Sequence, residues 1–354
     1  MKTKVLPTLL AVVLSAGIFA GCAGGNTPAG STSAASEAKT GLGIKHARLF
    51  NIDYLDNGVK LMTDPEGKKL LLVPIGTNAP PGYDDAAVIE TPITRAMSNS
   101  ITNNSYLDAL EDDSLRDSIT VVNRSTVEEI VKANPDIVFL GNGMGDVDIR
   151  LGSLLDEVNI KHAAVTEWEE VGNAAELEWI KFFAAFFNLD EKADRIYEAK
   201  IACLNELYEK AASASYRPTV AYGLISRGVV YTQSGSSILA GQIEKAGGIY
   251  VFKELEGFTS SVRISMEELL DKGRNADIFI YGSLPEYCPD KAFLLETEPL
   301  MAEFKAFKSD RIFAFDRDYY INRAKVVERF EDMVYMFHPD MFSGHEFSMY
   351  RKLD

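Results

Sequence analysis

Asp190 to Ala214 reads DEKADRIYEAKIACLNELYEKAASA, and this stretch decides the fold. It contains neither Gly nor Pro and is dominated by Ala, Leu, Glu and Lys, which are strong helix formers. Asp190 is expected to be the N-cap. The apolar residues recur at helical spacing: Ile196, Tyr197, Ile201, Leu204, Leu207, Tyr208 and Ala211. At about 1.5 Å per residue the helix would be roughly 36 Å long, so it is either a long surface helix or a strut between two domains.

The composition is that of a folded protein with an acidic surface. The 354 residues are 46% hydrophobic and 25% charged, which suffices for one or two cores. This length predicts about two domains. The formal net charge is −16. Because nucleic-acid-binding proteins usually carry a basic patch, this charge argues against a nucleic-acid partner.

The first 45 residues are predicted to lie outside the folded body. Residues 1–21 are interpreted as a signal peptide, because the apolar run Val5–Phe19 is too short for a permanent membrane helix. Phe19-Ala20-Gly21-Cys22 resembles a bacterial lipoprotein cleavage box and predicts lipidation of Cys22; the alternative is a plain secretory signal with an incidental Cys. Residues 22–45 are predicted to form a flexible tether. The body is therefore expected outside the cytoplasmic membrane, on a lipid anchor.

Two cysteines remain once Cys22 carries the lipid. Cys203 lies on the long helix and is predicted to be a small buried hydrophobe, and Cys288 lies in a predicted loop. A disulfide between them is an open alternative in an exported protein, although the sequence does not favour it.

Two patterns of secondary structure flank the long helix. Residues 46–73 are predicted to form leading β-hairpins, with a strong turn signal at Asp56-Asn57-Gly58. Strands then alternate with helices on both sides of the long helix. The fold class is therefore predicted to be α/β, with two Rossmann-like lobes joined by one long α-helix and N-terminal β-hairpins. The predicted bounds are 46–188 for the first lobe with its hairpins, 189–215 for the connecting helix and 216–354 for the second lobe and tail.

A short repeat occurs once in each lobe. The segment TVEEIVKANPDIVF, starting at Thr126, matches SMEELLDKGRNADIFI, starting at Ser265. Each helix is predicted to begin with a capping box between its first residue and the Glu three positions later. Glu128 and Glu267 then project from the first turns of equivalent helices. Either they complement the helix dipole, or they form a docking pair.

The sequence contains no pattern that predicts an enzyme or a resident metal. The four His residues are far apart, and the spacing of structural zinc sites is missing. Gly141–Gly145 follows a predicted strand, but Asp146 stands where a dinucleotide-binding motif requires Gly. Neither a nucleophile elbow nor a P-loop occurs. No catalytic residue, metal ligand or cofactor is therefore predicted.

The order of these segments resembles one family. The lipoprotein start, TVEEIVKANPDIVF, the single long helix, AGGIYVF from Ala246, and SMEELL followed by ADIFI are similar, in this order, to ABC-transporter solute-binding proteins of the iron-siderophore, haem and cobalamin class. The resemblance implies two α/β lobes, a ligand cleft between them, and little closure, because a rigid helix cannot absorb large backbone changes. It also implies that Glu128 and Glu267 meet Arg residues of the permease.

The ligand is expected where loops leave the carboxyl ends of the strands. Aromatic and Arg side chains cluster in those loops, and they suit flat macrocycles and carboxylate- or catecholate-bearing chelates. The alternative for each is a packed or solvated loop side chain. For haem, Met144, Tyr231 and Tyr319 are axial-ligand candidates. The predicted ligand-binding residues are Ser100, Met144, Trp168, Arg227, Tyr231, Tyr281, Tyr319 and Arg323.

The leading hypothesis is a lipid-anchored receptor that captures a metal chelate, an iron-siderophore or haem, and delivers it to an ABC permease and its ATPase. Cobalamin is the alternative ligand, and a non-transport sensor or adhesion lipoprotein is the alternative function. A receptor for free zinc or manganese is disfavoured, because such sites favour imidazole and His is scarce. The protein is expected to be a monomer, and any metal is expected to arrive within the ligand.

Overall fold

The computed structural model describes residues 42–115, 118–121, 126–141, 146–257 and 261–354. The predicted signal peptide, Cys22 and most of the predicted tether lie outside these ranges. Residues 43–45, which the sequence assigns to the tether, are bonded to the folded body. Gly43 O accepts a hydrogen bond from Lys181 Nζ at 3.0 Å, and Lys45 N donates to Glu178 Oε1 at 2.9 Å. Within the described ranges, no helix is long and apolar enough to cross a membrane.

A four-stranded sheet precedes the first lobe. Its first three strands form the predicted antiparallel hairpins, and an unpredicted parallel strand follows: β1 (Asn51–Tyr54), β2 (Lys60–Thr63), β3 (Lys69–Pro74) and β4 (Ala87–Thr91), in that order. Lys60 is buried, and its Nζ lies 2.7 Å from both Asp190 Oδ2 and Ala185 O. Burial lowers the pKa of Lys60, and pairing with Asp190 opposes that shift. This lysine thus fixes the front sheet to the helices behind it.

The N-terminal lobe is built on an all-parallel sheet. Its strands are β5 (Ala96–Ser98), β6 (Ile119–Val121), β7 (Ile137–Leu140) and β8 (His162–Ala164), in the order β6-β5-β7-β8. Its helices are α1 (Asn104–Asp108), α2 (Val127–Ala133), α3 (Asp146–Glu157) and α4 (Asn173–Phe186). Every residue of β7 is buried, as expected of a strand covered on both faces.

The long helix, α5, runs from Asp190 to Ala212. Leu189 is its N-cap, which corrects the expectation for Asp190; the Asp190 carboxylate instead binds Lys60 and accepts a hydrogen bond from Tyr54. Cys203 is exposed, which corrects its predicted burial, because the buried stripe of the helix passes through Leu204 on the neighbouring face. Cys203 and Cys288 are both free thiols, so they do not form a disulfide.

The C-terminal lobe is built on a seven-stranded mixed sheet. Its strands are β9 (Thr219–Ser226), β10 (Val229–Thr232), β11 (Ile249–Tyr250), β12 (Val262–Ile264), β13 (Ile278–Tyr281), β14 (Ile312–Phe315) and β15 (Tyr350–Lys352). They follow the order β12-β10-β9-β13-β14-β15, with β11 also beside β9. Its helices are α6 (Ile238–Lys245), α7 (Met266–Gly273), α8 (Lys291–Thr297), α9 (Lys305–Lys308), α10 (Asp318–Ile321) and α11 (Val326–Phe337). The antiparallel strands β10, β12 and β15 were not predicted, because short edge strands lack a long apolar run.

Three helices form a layer shared by both lobes. The connecting helix α5 packs against α4 of the first lobe and α11 of the second, and α11 also contacts α4. One hydrophobic core includes Phe139 and Trp179 from the first lobe, Leu204 from α5, and Phe279 and Phe330 from the second. The connecting helix is therefore buried along one side by both lobes and is not an isolated strut.

Buried carboxylates hold both ends of the described chain on this helical layer. Glu178 of α4 accepts backbone hydrogen bonds from residues 45–47 at 2.6–3.0 Å. Asp332 of α11 accepts backbone hydrogen bonds from residues 348–350 at 2.7–3.1 Å. Both side chains are fully buried. Because each satisfies several backbone donors at once, each places a distant segment against the core.

Candidate functional site

The carboxyl ends of the parallel strands of the two lobes meet where α10 contacts the 3-10 turn Ile101–Asn103. The turn follows β5 of the first lobe, and α10 follows β14 of the second. In α/β sheets, ligands bind outside the carboxyl ends of the strands. We call this region, formed by residues 98–106, 165–169, 222–233, 281–288 and 315–324, the seam. It is the candidate ligand site.

The first lobe contributes a polar turn with an apolar tip to the seam. The Ser100 hydroxyl accepts a hydrogen bond from Thr102 N at 3.3 Å, so it caps the turn and stays half-buried. Ile101 beside it is 48% exposed. Trp168 lies in a second 3-10 turn and is half-buried, with surface left for a ligand. Met144 lies outside the described residues.

The second lobe contributes the β9–β10 hairpin, with Arg227 at its tip, and the neighbouring strand β12, with Arg263. Arg227 is exposed at the tip between β9 and β10, with a left-handed φ of 52° that costs about 1 kcal/mol for a residue with a side chain. Tyr231 of β10 is half-buried and pairs across the sheet with Arg263 of β12. The Arg263 guanidinium lies 5.6 Å from the Tyr231 ring centroid. Arg263 was missed as a site residue because β12 has no clear sequence signal.

Tyr281 and Tyr319 are core residues, which corrects their predicted exposure to the ligand. Tyr281 is 5% exposed and donates its hydroxyl to Ile225 O at 3.3 Å. Burial raises the pKa of Tyr281 to about 12, which disfavours a phenolate. Tyr319 stacks on Phe315 with ring centroids 3.7 Å apart. The neighbouring Tyr320 is the exposed aromatic of this helix, because only one of two consecutive residues on a short helix faces the core.

Arg323 is engaged within the protein, which corrects its prediction as a free cation for the ligand. It forms an ion pair through Nη2 with Glu176 of α4. Its Nε lies 4.0 Å from Glu167 Oε1. Burial raises the pKa of Glu167, while Arg323 acts in the opposite direction. The sequence carried no signal for this pairing, because its partners lie about 150 positions away.

The predicted docking residue of the first lobe lies at the surface. Glu128 is exposed in the first turn of α2. The predicted capping box is complete: Thr126 Oγ1 accepts from Glu129 N at 3.3 Å, and Thr126 N donates to Glu129 Oε2 at 2.8 Å. Because Glu129 is used by the cap, Glu128 is the acid left for a partner.

The equivalent residue of the second lobe is also exposed. Glu267 lies in the first turn of α7. Only half of the predicted capping box forms: Ser265 Oγ accepts from Glu268 N at 3.0 Å, while the Glu268 carboxylate accepts from Lys272 at 3.1 Å. The lysine one turn later therefore competes with the backbone for Glu268, and Glu267 remains unengaged by the cap.

Three cavities of the described residues lie away from the seam. One of ≈ 580 Å³ lies between the front sheet and the start of α5, one of ≈ 500 Å³ is lined by residues 274–275 and 303–309, and one of ≈ 310 Å³ lies between residues 45–48 and the start of α4. None of the predicted ligand residues lines any of the three. Across the part of the chain that the structure describes, no group of three or more His, Cys, Asp or Glu side chains is placed to hold a metal ion.

Comparison with known families decides the identity of this fold. The sequence model of the periplasmic binding protein family matches residues 86–319, more than half of the chain. The chain belongs to this family. The resemblance seen in the sequence is thus confirmed. This periplasmic binding protein is 27% identical to an uncharacterized lipoprotein of Methanocaldococcus jannaschii, over 87% of this chain and 85% of that relative.

Solved structures share the fold at low sequence identity. An ABC transporter substrate-binding protein from Listeria monocytogenes is 16% identical, with a TM-score of 0.55 over 70% of this chain and 99% of that one. A periplasmic haem-binding protein from Pseudomonas aeruginosa is 13% identical, with a TM-score of 0.57 over 74% of this chain and 98% of that one. In this periplasmic binding protein, β1–β3 and the segment after Tyr319 lie outside the residues matched by the family.

Proposed function

We propose that this protein is the lipid-anchored substrate-binding component of an ABC importer, which captures a metal chelate and delivers it to the permease. The observation that carries the proposal is the seam, where the carboxyl ends of the parallel strands of both lobes meet. Capture is then a binding equilibrium in which loops of both lobes hold the ligand. Accessible aromatic and cationic side chains occur on both sides of the seam: Trp168, Arg227, Tyr231, Tyr320 and Tyr287.

The side chains at the seam favour a flat anionic chelate. Aromatic faces bind macrocycles, and Arg binds carboxylate or catecholate oxygens through parallel hydrogen bonds. Iron-siderophore and haem therefore lead, and the similarity to a haem-binding protein supports haem. Tyr231 is the axial-ligand candidate that keeps accessible surface in the described ranges. Cobalamin is the alternative ligand, although it would form fewer contacts with Arg227 and Arg263.

The lipid anchor is proposed from the sequence and from relatives. Cys22 follows a signal-peptide pattern, and two relatives of this chain are named lipoproteins. The bonded body begins near Gly43, so the segment after Cys22 would serve as the leash. Lipidation would keep the receptor beside its permease without a membrane-spanning helix.

Ligand titration tests the capture step. The full chain is titrated with hemin, a ferric siderophore or cobalamin while tryptophan fluorescence is followed. We expect at least one of the three to bind at micromolar concentration. Trp168→Phe should remove most of the signal, whereas Trp179→Phe should preserve it, because Trp179 is fully buried in the core. Failure of all three ligands to bind would remove the metal-chelate proposal.

Charge reversal tests the docking step. Glu128→Lys with Glu267→Lys should abolish import of the bound chelate by cells and leave the affinity for the chelate unchanged, because the introduced lysines would repel the Arg residues of the permease that the two exposed acids attract. The matched control is Glu157→Lys with Glu296→Lys, which reverses one exposed acid in each lobe elsewhere. Unchanged import by the variant with Glu128→Lys and Glu267→Lys would contradict the docking role and favour the alternative function as a sensor.

A further inference from the structure

One carboxylate of the first lobe holds two guanidinium groups of the second. Glu176 of α4 is fully buried; it pairs with Arg323 Nη2, and its Oε2 lies 2.5 Å from Arg329 Nη2. Arg323 follows α10, and Arg329 lies in α11. The side chains of the two Arg residues are 11% and 1% exposed. This cluster is therefore a desolvated contact between the lobes and not a surface ion pair.

The backbone beside Arg323 is tied to the same place. Ala324 N donates a hydrogen bond to Ser105 Oγ of α1 at 3.2 Å. The Ser105 hydroxyl in turn donates to Thr102 O in the 3-10 turn at 2.7 Å. Thr102 Oγ1 lies 3.4 Å from Glu167 Oε1, the acid that Arg323 Nε approaches. The segment after α10 is thus bound to the first lobe by both side chain and backbone.

A buried ion pair of this kind specifies an arrangement more than it adds stability. The desolvation of the charges offsets most of their attraction, so the net contribution is small. A small rotation of the lobes, however, would break the pairs while the side chains stay shielded from water, and a buried charge without its partner is strongly unfavourable. The ion pairs therefore favour one relative position of the lobes, in which Glu176 pairs with both Arg residues.

We propose that Glu176, Arg323 and Arg329 form a latch that holds α10 on the turn Ile101–Asn103. The connecting helix α5 limits how far the lobes separate, and the latch sets their rotation about it. Arg323 is then a positioning residue: it aligns the exposed Tyr320 and Ile321 of the second lobe with Ile101 of the first, so that one wall spans the seam. This inference concerns the free protein and holds whatever the ligand is.

The distance between the lobes tests the latch. Spin labels are placed on Val131→Cys of α2 and Asp271→Cys of α7, both exposed, in a chain with Cys22→Ser and Cys203→Ser; Cys288 is buried and stays unlabelled. Arg323→Met leaves Glu176 paired with Arg329, so the carboxylate is not stranded. We expect the distance distribution of this variant to be about twofold wider than that of the parent, because the lobes then sample further arrangements.

Two comparisons separate positioning from a general loss of structure. Arg323→Lys should restore most of the narrow distribution, since a lysine can still pair with Glu176. Lys200→Met removes the more exposed ion pair with Glu328, between α5 and α11, and should leave the distance distribution as narrow as in the parent. If the Arg323→Met variant folds and its distance distribution is as narrow as that of the parent, the latch is overturned. Should that variant not fold, Arg329→Met, which leaves Glu176 paired with Arg323, replaces it, and a distance distribution as narrow as the parent's would overturn the latch equally.

Discussion

Two aspartates have the same structural role in the two lobes. Asp136, before β7, accepts hydrogen bonds from Thr94 N at 2.8 Å and Arg95 N at 2.9 Å. Asp277, before β13, accepts from Thr219 N at 2.8 Å and Thr219 Oγ1 at 2.7 Å. Each carboxylate joins the start of its strand to the start of the neighbouring strand. The repeat seen in the sequence therefore extends to equivalent hydrogen bonds.

Asp277 should make the stability of the protein depend on pH. Burial alone would raise its pKa, but hydrogen bonds from Lys305 and Thr219 outweigh burial and lower it below the ordinary range of Asp. Because the pKa of Asp in the unfolded chain is higher, about 3.9, the stabilisation is complete above that pH and is lost as the pH falls through the folded-state pKa.

We expect Asp277→Asn to lower the free energy of unfolding by about 2 kcal/mol at pH 7, as removal of charge-assisted hydrogen bonds does. The difference from the parent should shrink at pH 3. Urea unfolding at both pH values measures it, and Asp136→Asn is the matched variant in the other lobe. A difference that does not change with pH would contradict the role of the carboxylate charge.

At the scale of one element, the turn into α6 requires a residue without a side chain. Ser237 caps the helix, with its Oγ accepting a hydrogen bond from Ala240 N at 3.1 Å. Two residues earlier, a Cβ on Gly235 would lie 1.8 Å from Lys253 O. Gly241, within α6, has no atom within 4 Å of the same position. The two glycines thus differ in the space around them.

Substitution of these two glycines should therefore have opposite effects. Gly235→Ala should destabilise the protein by roughly 3 kcal/mol, because the backbone of the segment around Lys253 must shift. Gly241→Ala should stabilise it by about 0.5–1 kcal/mol, since alanine restricts the unfolded chain and favours the helix. Urea unfolding of both variants measures the difference. Equal effects in the two variants would show that the close approach at Gly235 does not constrain the turn.

At the scale of the whole molecule, the two lobes share one core. The helices α4, α5 and α11 pack together, and one hydrophobic cluster contains apolar residues of both lobes. Gln242 of α6 in the second lobe also donates to Asn173 of the first at 2.6 Å. The described residues of both lobes lie within one compact unit. The interiors of the two lobes are therefore continuous through this cluster.

We therefore expect the lobes to unfold in a single transition. Trp168 and Trp179, the two tryptophans of the chain, lie in the first lobe, so their fluorescence reports that lobe, whereas far-ultraviolet circular dichroism reports both. The two signals should give the same urea midpoint, as cooperative unfolding requires. A separate transition in circular dichroism would mean that the second lobe unfolds independently.

Several features of this fold are local, and the sequence predicts them well. The long helix follows from an uninterrupted run of helix formers, and its buried stripe follows from apolar residues at helical spacing. The cap at Thr126 depends on residues three positions apart. Short edge strands such as β12 depend on a neighbouring strand for their hydrogen bonds, so their own residues carry little signal.

The candidate site was predicted less completely, because burial depends on distant segments. Trp168, Arg227 and Tyr231 keep accessible surface, and their contact with a ligand stays a prediction. Tyr319 lies beside the exposed Tyr320 in α10, and Arg323 follows this helix, but nothing in the local sequence distinguishes the buried side chains from the exposed one. Tyr319 stacks on Phe315, and Arg323 meets Glu176 of the other lobe. Such contacts are invisible until the lobes are placed together.

The amino-acid sequence by itself determined the α/β class, the connecting helix, the repeat with its exposed acids and the family, because each depends on neighbouring residues or on the order of segments. Only the tertiary structure decided which side chains face the seam and which hold the lobes together. A charge such as that of Glu176 is stable in the interior only with its partners, and those partners are brought together by the packing of whole helices.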